Sequence, residues 1–527
     1  MPTESISYRD TGYFSEFICD YLDENELLQP FYNRYPSLEN FKAQIDEKQI
    51  SVRAQLRTTL VEVLKKQYFE LETSELTLQN IEALQDPKTF TITTGHQLNL
   101  FTGPLYFLYK IVSTINLAKA LKEAYPEYNF VPVYWMATED HDFEEINYFN
   151  FRGKKIQWNR KASGAVGQLS TEGLDEVLEV FSKELGNSQN ANTLKTLFKK
   201  AYVEHNNLAD ATLFLANTLF KAYGLVIVDA NTSELKRLFI PYIEKELVSQ
   251  VSYKAVSETS NRLDKVQVNP REINLFYIKD GLRERIVLEG HIYKVNNTNI
   301  QWSLSEMLKH LNEMPERFSP NVIMRPLYQE IILPNLCYIG GGGELSYWLQ
   351  LKDYFDAVDV TFPMLLLRNS VFIQSQKQSK KLENLHITTQ DVFLKRNAFI
   401  NKKVREISNI NIDFSDQEKH LQQQFKAMYD LAEQTDKSFL GAVKAQEMKQ
   451  IKGLKHLEKR LLKAQKKKLA DEVNRMTELQ NQLFPNQSLQ ERYTNFSELY
   501  LEYGEELIPI LVEQLNPLSF SFSVLTI

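Results

Sequence analysis

The spacing of apolar residues changes several times along the chain, and each change predicts a different element. Residues 1–88 are polar with apolar positions at helical intervals, as in Leu56, Leu60, Val63 and Leu64, so helices packed beside a core are expected. Residues 89–95 form a β-rich run, and Pro104 suits the first turn of a helix continuing through Lys122. Residues 130–137 predict the next buried strand, although Pro132 removes one ladder donor. Further strands are expected at 224–229, which runs into a helix N-cap region, at 336–340, which leads through glycines into a helix to Leu351, and at 364–367. Strands alternating with helices define an α/β protein with a mostly parallel sheet covered on both faces.

Two stretches have a different texture. Residues 150–222 open with a predicted hairpin at 154–158, turning at Ser163-Gly164, and continue as helices. Residues 250–320 carry apolar runs at 274–278 and 285–288 around Asp280-Gly281, a strong hairpin signal. Both are read as connective insertions into a nucleotide-binding type of core.

From about 414 to 483 the sequence is charged and almost free of glycine. Leu454, Leu457, Leu461 and Ala464 step by three and four, and Leu469, Met476 and Leu483 recur every seven with Leu479 between them. The register slips by one across 466–468. A helix over 438–482 would be about 65 Å long, and with 415–435 as antiparallel partner it forms a protruding coiled-coil arm, either an internal strut or a dimerisation surface. The lysines of 463–468 belong to its solvated face. Residues 520–527 are apolar and are expected in the core. The expected organisation is a helical part of the core (1–88), the first core part (89–149), insertion 1 (150–222), a core strand and helix (223–249), insertion 2 (250–320), the second core part (321–376), the arm (377–483) and a segment returning to the core (484–527).

A chain of 527 residues exceeds one hydrophobic core, which agrees with this division. The net charge of −7 argues against a nucleic-acid partner. Two cysteines are too few for a disulfide framework, and no run approaches the roughly 18 apolar residues of a membrane span, so a cytoplasmic protein is expected.

Three clusters could carry chemistry, each following a predicted strand, where open α/β sheets bind ligands. The first is Thr94-Gly-His-Gln-Leu-Asn-Leu-Phe-Thr-Gly-Pro104. Gly95, Gln97, Asn99, Thr102 and Gly103 lead into a helix whose amino end suits a phosphate or carboxylate, and His96 is a candidate base or a stabiliser of a leaving phosphate. A tight turn with a hydrogen-bonded histidine is the plainer alternative. In the second, Glu139-Asp-His-Asp142, crowded carboxylates raise one another's pKa unless a cation intervenes. Asp140 and Asp142 could hold Mg²⁺, and Asp140, His141 or Asp142 could act as general base; an acidic helix cap is the alternative. The third is Gly340, Gly341, Gly342 and Gly343 with Glu344, a glycine loop without the lysine of a P-loop. Arg325 and Gln329 upstream are candidates for carboxylate or phosphate contact. Cys337 reads as a core residue.

These blocks resemble the bacillithiol-biosynthesis cysteine ligase (BshC) family. The similarity runs through Thr94-Gly-His-Gln, Gly103-Pro-Leu-Tyr106 with Lys110, Trp135-Met-Ala, Glu139-Asp-His-Asp-Phe-Glu144, Arg325-Pro with Gln329, Leu333-Pro, Tyr338-Ile-Gly-Gly, Gly343-Glu-Leu-Ser-Tyr347 and Leu489-Gln-Glu-Arg492. Tyr106, Lys110 and Tyr347 join the candidate binding residues on this basis. The pattern departs from the family at His96, where Gln is expected, and at Gly342, where Pro is common.

The resemblance implies a Rossmann-like core with two connective insertions and a coiled-coil arm that makes a homodimer. It also implies ligation of cysteine to the amine of glucosaminyl-malate. Amide formation from a free carboxylate is uphill, so ATP with Mg²⁺ is expected. An adenylate or acyl phosphate of cysteine would form over residues 95–103, and Arg325 or the loop 340–343 would hold the malate carboxylates. A metal-dependent hydrolase built on residues 139–142 and a non-catalytic coiled-coil scaffold are the rival readings.

Overall fold

The structure is a computed structural model that describes residues 3–52 and 54–527. Its central sheet has five parallel strands: β1 (Thr89–His96), β2 (Asn129–Met136), β3 (Val226–Asp229), β4 (Asn335–Gly340) and β5 (Met364–Leu367). Their spatial order is β5-β4-β1-β2-β3. The order reverses between β1 and β4, so the carboxyl ends of these two strands flank a topological switch point. All five expected strands are present. Pro132 lies within β2 one residue before pairing with β3 begins at Val133, so its missing N–H falls outside that ladder.

One face of the sheet buries Phe90, Ile92, Leu336, Ile339, Met364 and Leu366 against Phe41 and Ile45 of the helix Leu38–Ser51 and against Leu117 and Leu121 of α1 (Tyr106–Ala124). After β3, Thr232 caps α2 (Ser233–Ser249) by accepting from the Leu235 N–H. The helices α3 (Met324–Ile332) and α4 (Gly342–Trp348) flank β4 in sequence. Residues 520–527 behave as expected: Phe522, Val524 and Leu525 are buried, and Phe522–Thr526 pairs antiparallel with Thr3–Ile6.

The first insertion departs from expectation at its hairpin. The strands are Tyr148–Phe151 and Lys154–Gln157, and the turn is Arg152-Gly153 rather than Ser163-Gly164. Both turn residues have positive φ, 49° and 77°, as a two-residue hairpin loop requires, and only the glycine signals this in sequence. The second insertion does turn at Asp280-Gly281, between Leu275–Lys279 and Leu282–Glu289, within a five-stranded antiparallel sheet.

Residues 373–489, with 526–527, form a separate compact unit, and residues 490–525 belong with the sheet-containing unit. The unit contains the expected antiparallel helices, Ser415–Ala432 and Lys437–Lys468, joined around Phe425, Ala432 and Val443. The single long helix is not formed. It stops at Leu469, which has φ −101° and ψ 33°, and resumes as Ala470–Leu483. The one-residue slip across 466–468 is thus resolved as a break, since a continuous helix cannot keep both halves of the stripe on one face. Leu457, expected in the seam, is 53% exposed. Its neighbour Glu458 turns inward and accepts from Arg405 Nη2 at 2.6 Å. Among the described residues no helix is long and apolar enough to cross a membrane.

Candidate functional site

A cavity of about 510 Å³ opens at the switch point. The end of β1 contributes Gly95 and His96, α1 contributes Tyr106 and Lys110, and α3 contributes Arg325 and Gln329. The loop into α4 adds Gly341, Gly342, Gly343, Glu344 and Tyr347, and Arg368 and Arg492 complete a strongly cationic lining.

Each buried cation is tied to a carboxylate. Lys110 Nζ donates to the Gly95 carbonyl at 2.7 Å and pairs with Glu344 Oε2 at 2.7 Å. Burial pulls the Lys110 pKa down and Glu344 opposes the shift. Glu344 also accepts the Gly341 N–H at 2.7 Å and the Tyr338 hydroxyl at 2.9 Å. A Cβ at position 95 would lie 3.2 Å from that hydroxyl, close enough that the Tyr338 ring would have to shift by a few tenths of an ångström. Arg368 donates Nη2 and Nη1 to the two oxygens of Glu491 at 2.7 and 3.0 Å, and its guanidinium stacks 5.3 Å from the Tyr106 ring. Arg325 grips both oxygens of Asp140. Burial alone would raise the Asp140 pKa, but the Arg325 guanidinium overrides it and holds the carboxyl below its ordinary range.

His96 does not sit in the environment of a base poised near neutrality. It is 7% exposed, packed against Tyr106 and Phe107, and bonded to the Thr102 backbone; burial together with Lys110 and Arg368 pushes its pKa well down. It is therefore a neutral imidazole whose Nε2 has no partner.

The turn after β1 is not the anion cradle expected from its sequence. The Phe101 N–H is taken by the Tyr202 hydroxyl at 2.8 Å and the Gly103 N–H by the Leu100 carbonyl. Asn495 holds the Phe101 and Gly103 carbonyls at 2.8 and 2.6 Å, bracing a turn in which Phe101 and Thr102 both have positive φ. Asn99, Thr102 and Gly103 accordingly do not line the cavity, nor does Gly340.

The 139–142 cluster is divided among separate cations. Glu139 pairs with the buried Lys236 at 2.5 Å, Asp140 with Arg325, and His141 Nδ1 accepts from Arg283 Nη1 at 2.6 Å. Burial lowers the Arg283 pKa to about 10. Asp142 is exposed, 3.7 Å from His141. None of the four lines the cavity, and Asp140 is committed to Arg325 while Asp142 faces solvent. Among the described residues no three His, Cys, Asp or Glu side chains gather as a metal site, so the hydrolase reading lacks its ligand set.

Of the candidate residues, Gly95, His96, Gln97, Tyr106, Lys110, Arg325, Gln329, Gly341, Gly342, Gly343, Glu344 and Tyr347 line this one cavity. Sequence reasoning missed Arg368, and it included Glu491 and Arg492 within the block Leu489-Gln-Glu-Arg492 without naming them as site residues. A usable signal was present: Arg368 follows the apolar run of β5, the position where the other clusters follow their strands.

Fold and site define a Rossmann-like α/β protein with a cation-lined crevice at its switch point, joined to a helical coiled-coil unit. Residues 1–369 match the sequence profile described as "Bacillithiol biosynthesis BshC, N-terminal Rossmann-like domain", and residues 371–527 match "Bacillithiol biosynthesis BshC, C-terminal coiled-coil domain". The chain belongs to the bacillithiol-biosynthesis BshC family. Relatives named "Putative cysteine ligase BshC" include a Flavobacterium johnsoniae protein, 61% identical over all of both chains. One from Cytophaga hutchinsonii is 37% identical over 99% of this chain and 98% of its own, and one from Bacillus cereus is 28% identical over 98% of each.

Proposed function

We propose that the chain is a cysteine ligase of bacillithiol biosynthesis, joining the cysteine carboxyl group to the amine of glucosaminyl-malate with ATP as the driving reagent. The observation that carries this reading is the crevice lined by Lys110, Arg325, Arg368 and Arg492. Three of these cations are balanced by Glu344, Asp140 and Glu491, leaving Arg492 as a surplus charge for anionic substrates. We assign the malyl carboxylates to Arg325 and Arg492. The partly exposed Gln97, with Lys110, has the chemistry to hold a triphosphate, which would supply the leaving group that a free carboxylate lacks. In this proposal Mg²⁺ comes with the ATP phosphates rather than on a protein cage.

The arm is proposed to pair two copies of the chain, because Met428, Leu431, Phe439 and Leu440 are all at least 40% exposed around its hairpin end. Two buried thiols, Cys19 and Cys337, fit a reducing cytoplasm.

The test is incubation with L-cysteine, glucosaminyl-malate and Mg²⁺, with and without ATP, followed by mass spectrometry of thiols and nucleotides. ATP-dependent amide product that disappears in Glu344→Gln is expected. Product formed equally without ATP, or no product from protein that is folded and supplied with authentic substrates, would reject the reading.

A further inference from the structure

Among the described residues, three buried polar atoms of the crevice lining have no protein partner, His96 Nε2, Trp348 Nε1 and Arg368 Nε, and only the last belongs to a charged group. Arg368 is 4% exposed, and its Nη atoms are spent on Glu491, Ser370 and the Asn369 carbonyl, while its Nε–H has no partner. A buried donor without an acceptor is costly, so its retention points to a bound acceptor. The direction of the gap is given by Gly341. A Cβ built there would stand 4.0 Å from Arg368 Nε and 3.4 Å from Glu344 Oε2. One small space is thus flanked by an unused cationic donor and a carboxylate. Glu344 Oε2 already accepts from Lys110 and the Gly341 N–H, and Oε1 from the Tyr338 hydroxyl; two carboxylate oxygens offer about four acceptor sites, so the one that remains is on Oε1.

A donor and an acceptor of opposite charge around one point match a ligand that carries an anion and a cation on the same carbon. We propose that this floor is the amino-acid subsite: Arg368 Nε–H holds the cysteine carboxylate and Glu344 takes the α-ammonium over Gly341. Glu491 is then a positioning residue, since its two-pronged grip leaves Nε as the donor facing the space. The larger aminosugar substrate fits the mouth, where Arg492 is exposed. This assignment rests on the ligase reading for the identity of the amino acid.

Gly341 provides a gentle test. Its φ of −79° suits any residue, and both contacts of the added methyl are ordinary van der Waals distances, so Gly341→Ala folds and merely fills the space. Binding would be measured by calorimetry, with and without Mg-ATP, for L-cysteine, cysteamine (no carboxylate) and 3-mercaptopropionate (no ammonium). Loss of one charge-assisted contact should weaken each analogue by about tenfold or more relative to L-cysteine. Gly341→Ala should raise the KM for cysteine by about tenfold while leaving that for glucosaminyl-malate within about twofold. The subsite is overturned if either analogue binds as well as L-cysteine, if L-cysteine binds in neither condition, or if Gly341→Ala keeps the native cysteine KM. That last result would leave the ligase reading intact. Charge-dependent cysteine binding without any product would reject the ligase reading and keep the subsite.

Discussion

Glu491→Gln tests how the site is held together. The carboxylate, fully buried, accepts from Arg368 Nη2 and Nη1 at 2.7 and 3.0 Å, from the Val371 N–H at 3.1 Å and from the Ser370 hydroxyl at 3.3 Å. Glutamine keeps the shape but removes the charge and turns an NH₂ toward other donors. The Arg368 guanidinium, 5% exposed, is left without a counter-ion, and breaking a buried pair from one side costs about 3–5 kcal/mol. Replacing both partners, Arg368→Met with Glu491→Met, removes both charges together and should cost less than the single change, the remaining cost coming from the Val371 N–H and Asn369 carbonyl that lose their partners. Urea unfolding followed by tryptophan fluorescence is the appropriate assay. All four tryptophans, Trp135, Trp158, Trp302 and Trp348, lie in the sheet-containing unit, so the signal reports on that unit alone. A single variant within about 1 kcal/mol of native, or a double variant as unstable as the single, would refute the reasoning that a desolvated charge sets the cost.

Other expectations follow from the same geometry. His96 has a folded pKa below its unfolded value, so it contributes stability that is complete above about pH 6.5 and is lost as pH falls toward the depressed value. His96→Gln should therefore flatten the stability profile below pH 6.5 by up to about 1.4 kcal/mol per pH unit, and an unchanged slope in urea titrations would contradict this. Asp140 is also depressed, so its pair with Arg325 is fully stabilising above about pH 3.8 and fades at lower pH. Asp140→Asn should cost about 2 kcal/mol at pH 7, with the deficit shrinking toward zero as native protein is acidified; a pH-independent deficit would count against the pair. Leu431→Glu with Phe439→Glu should halve the mass seen by light scattering if the arm pairs two chains, with catalytic turnover per chain measured alongside. An unchanged mass would remove those side chains from the interface.

The parts of this molecule that were legible in sequence share one property: the cause is local. The buried strands β1 to β5 read as apolar runs because parallel strands are covered on both faces. The Asp280-Gly281 turn was visible because the two residue types report the backbone they need. The Thr232 cap had the same kind of local signal. What sequence misjudged was partnership. Glu139, Asp140 and His141 look alike as neighbours, yet Lys236, Arg325 and Arg283 reach them from three different elements and give each a separate job. The helix amino end after β1 looked like a phosphate cradle, and Asn495 and Tyr202, hundreds and about a hundred residues away, had already claimed its polar groups. The arm shows the same limit: Glu447, Glu458 and Gln465 occupy inward positions of a helix where a hydrophobic stripe was sought, and are satisfied by Tyr429, Arg405 and Ser408.

Long-range pairing also explains why Arg368 escaped notice while Glu344 did not. Glu344 announces itself beside four glycines, but the importance of Arg368 depends on Glu491, more than a hundred residues later, fixing two of its nitrogens so that the third is left over. An unpaired donor is a property of the assembled site alone. If the leftover Nε–H is the anchor for the amino acid, then Glu491, which touches no ligand, must control cysteine affinity as well as stability. Glu491→Gln would then raise the KM for cysteine even under conditions where the folded fraction is complete. Glu491→Asp, which restores the charge at a shorter reach, would recover stability more than it recovers that KM.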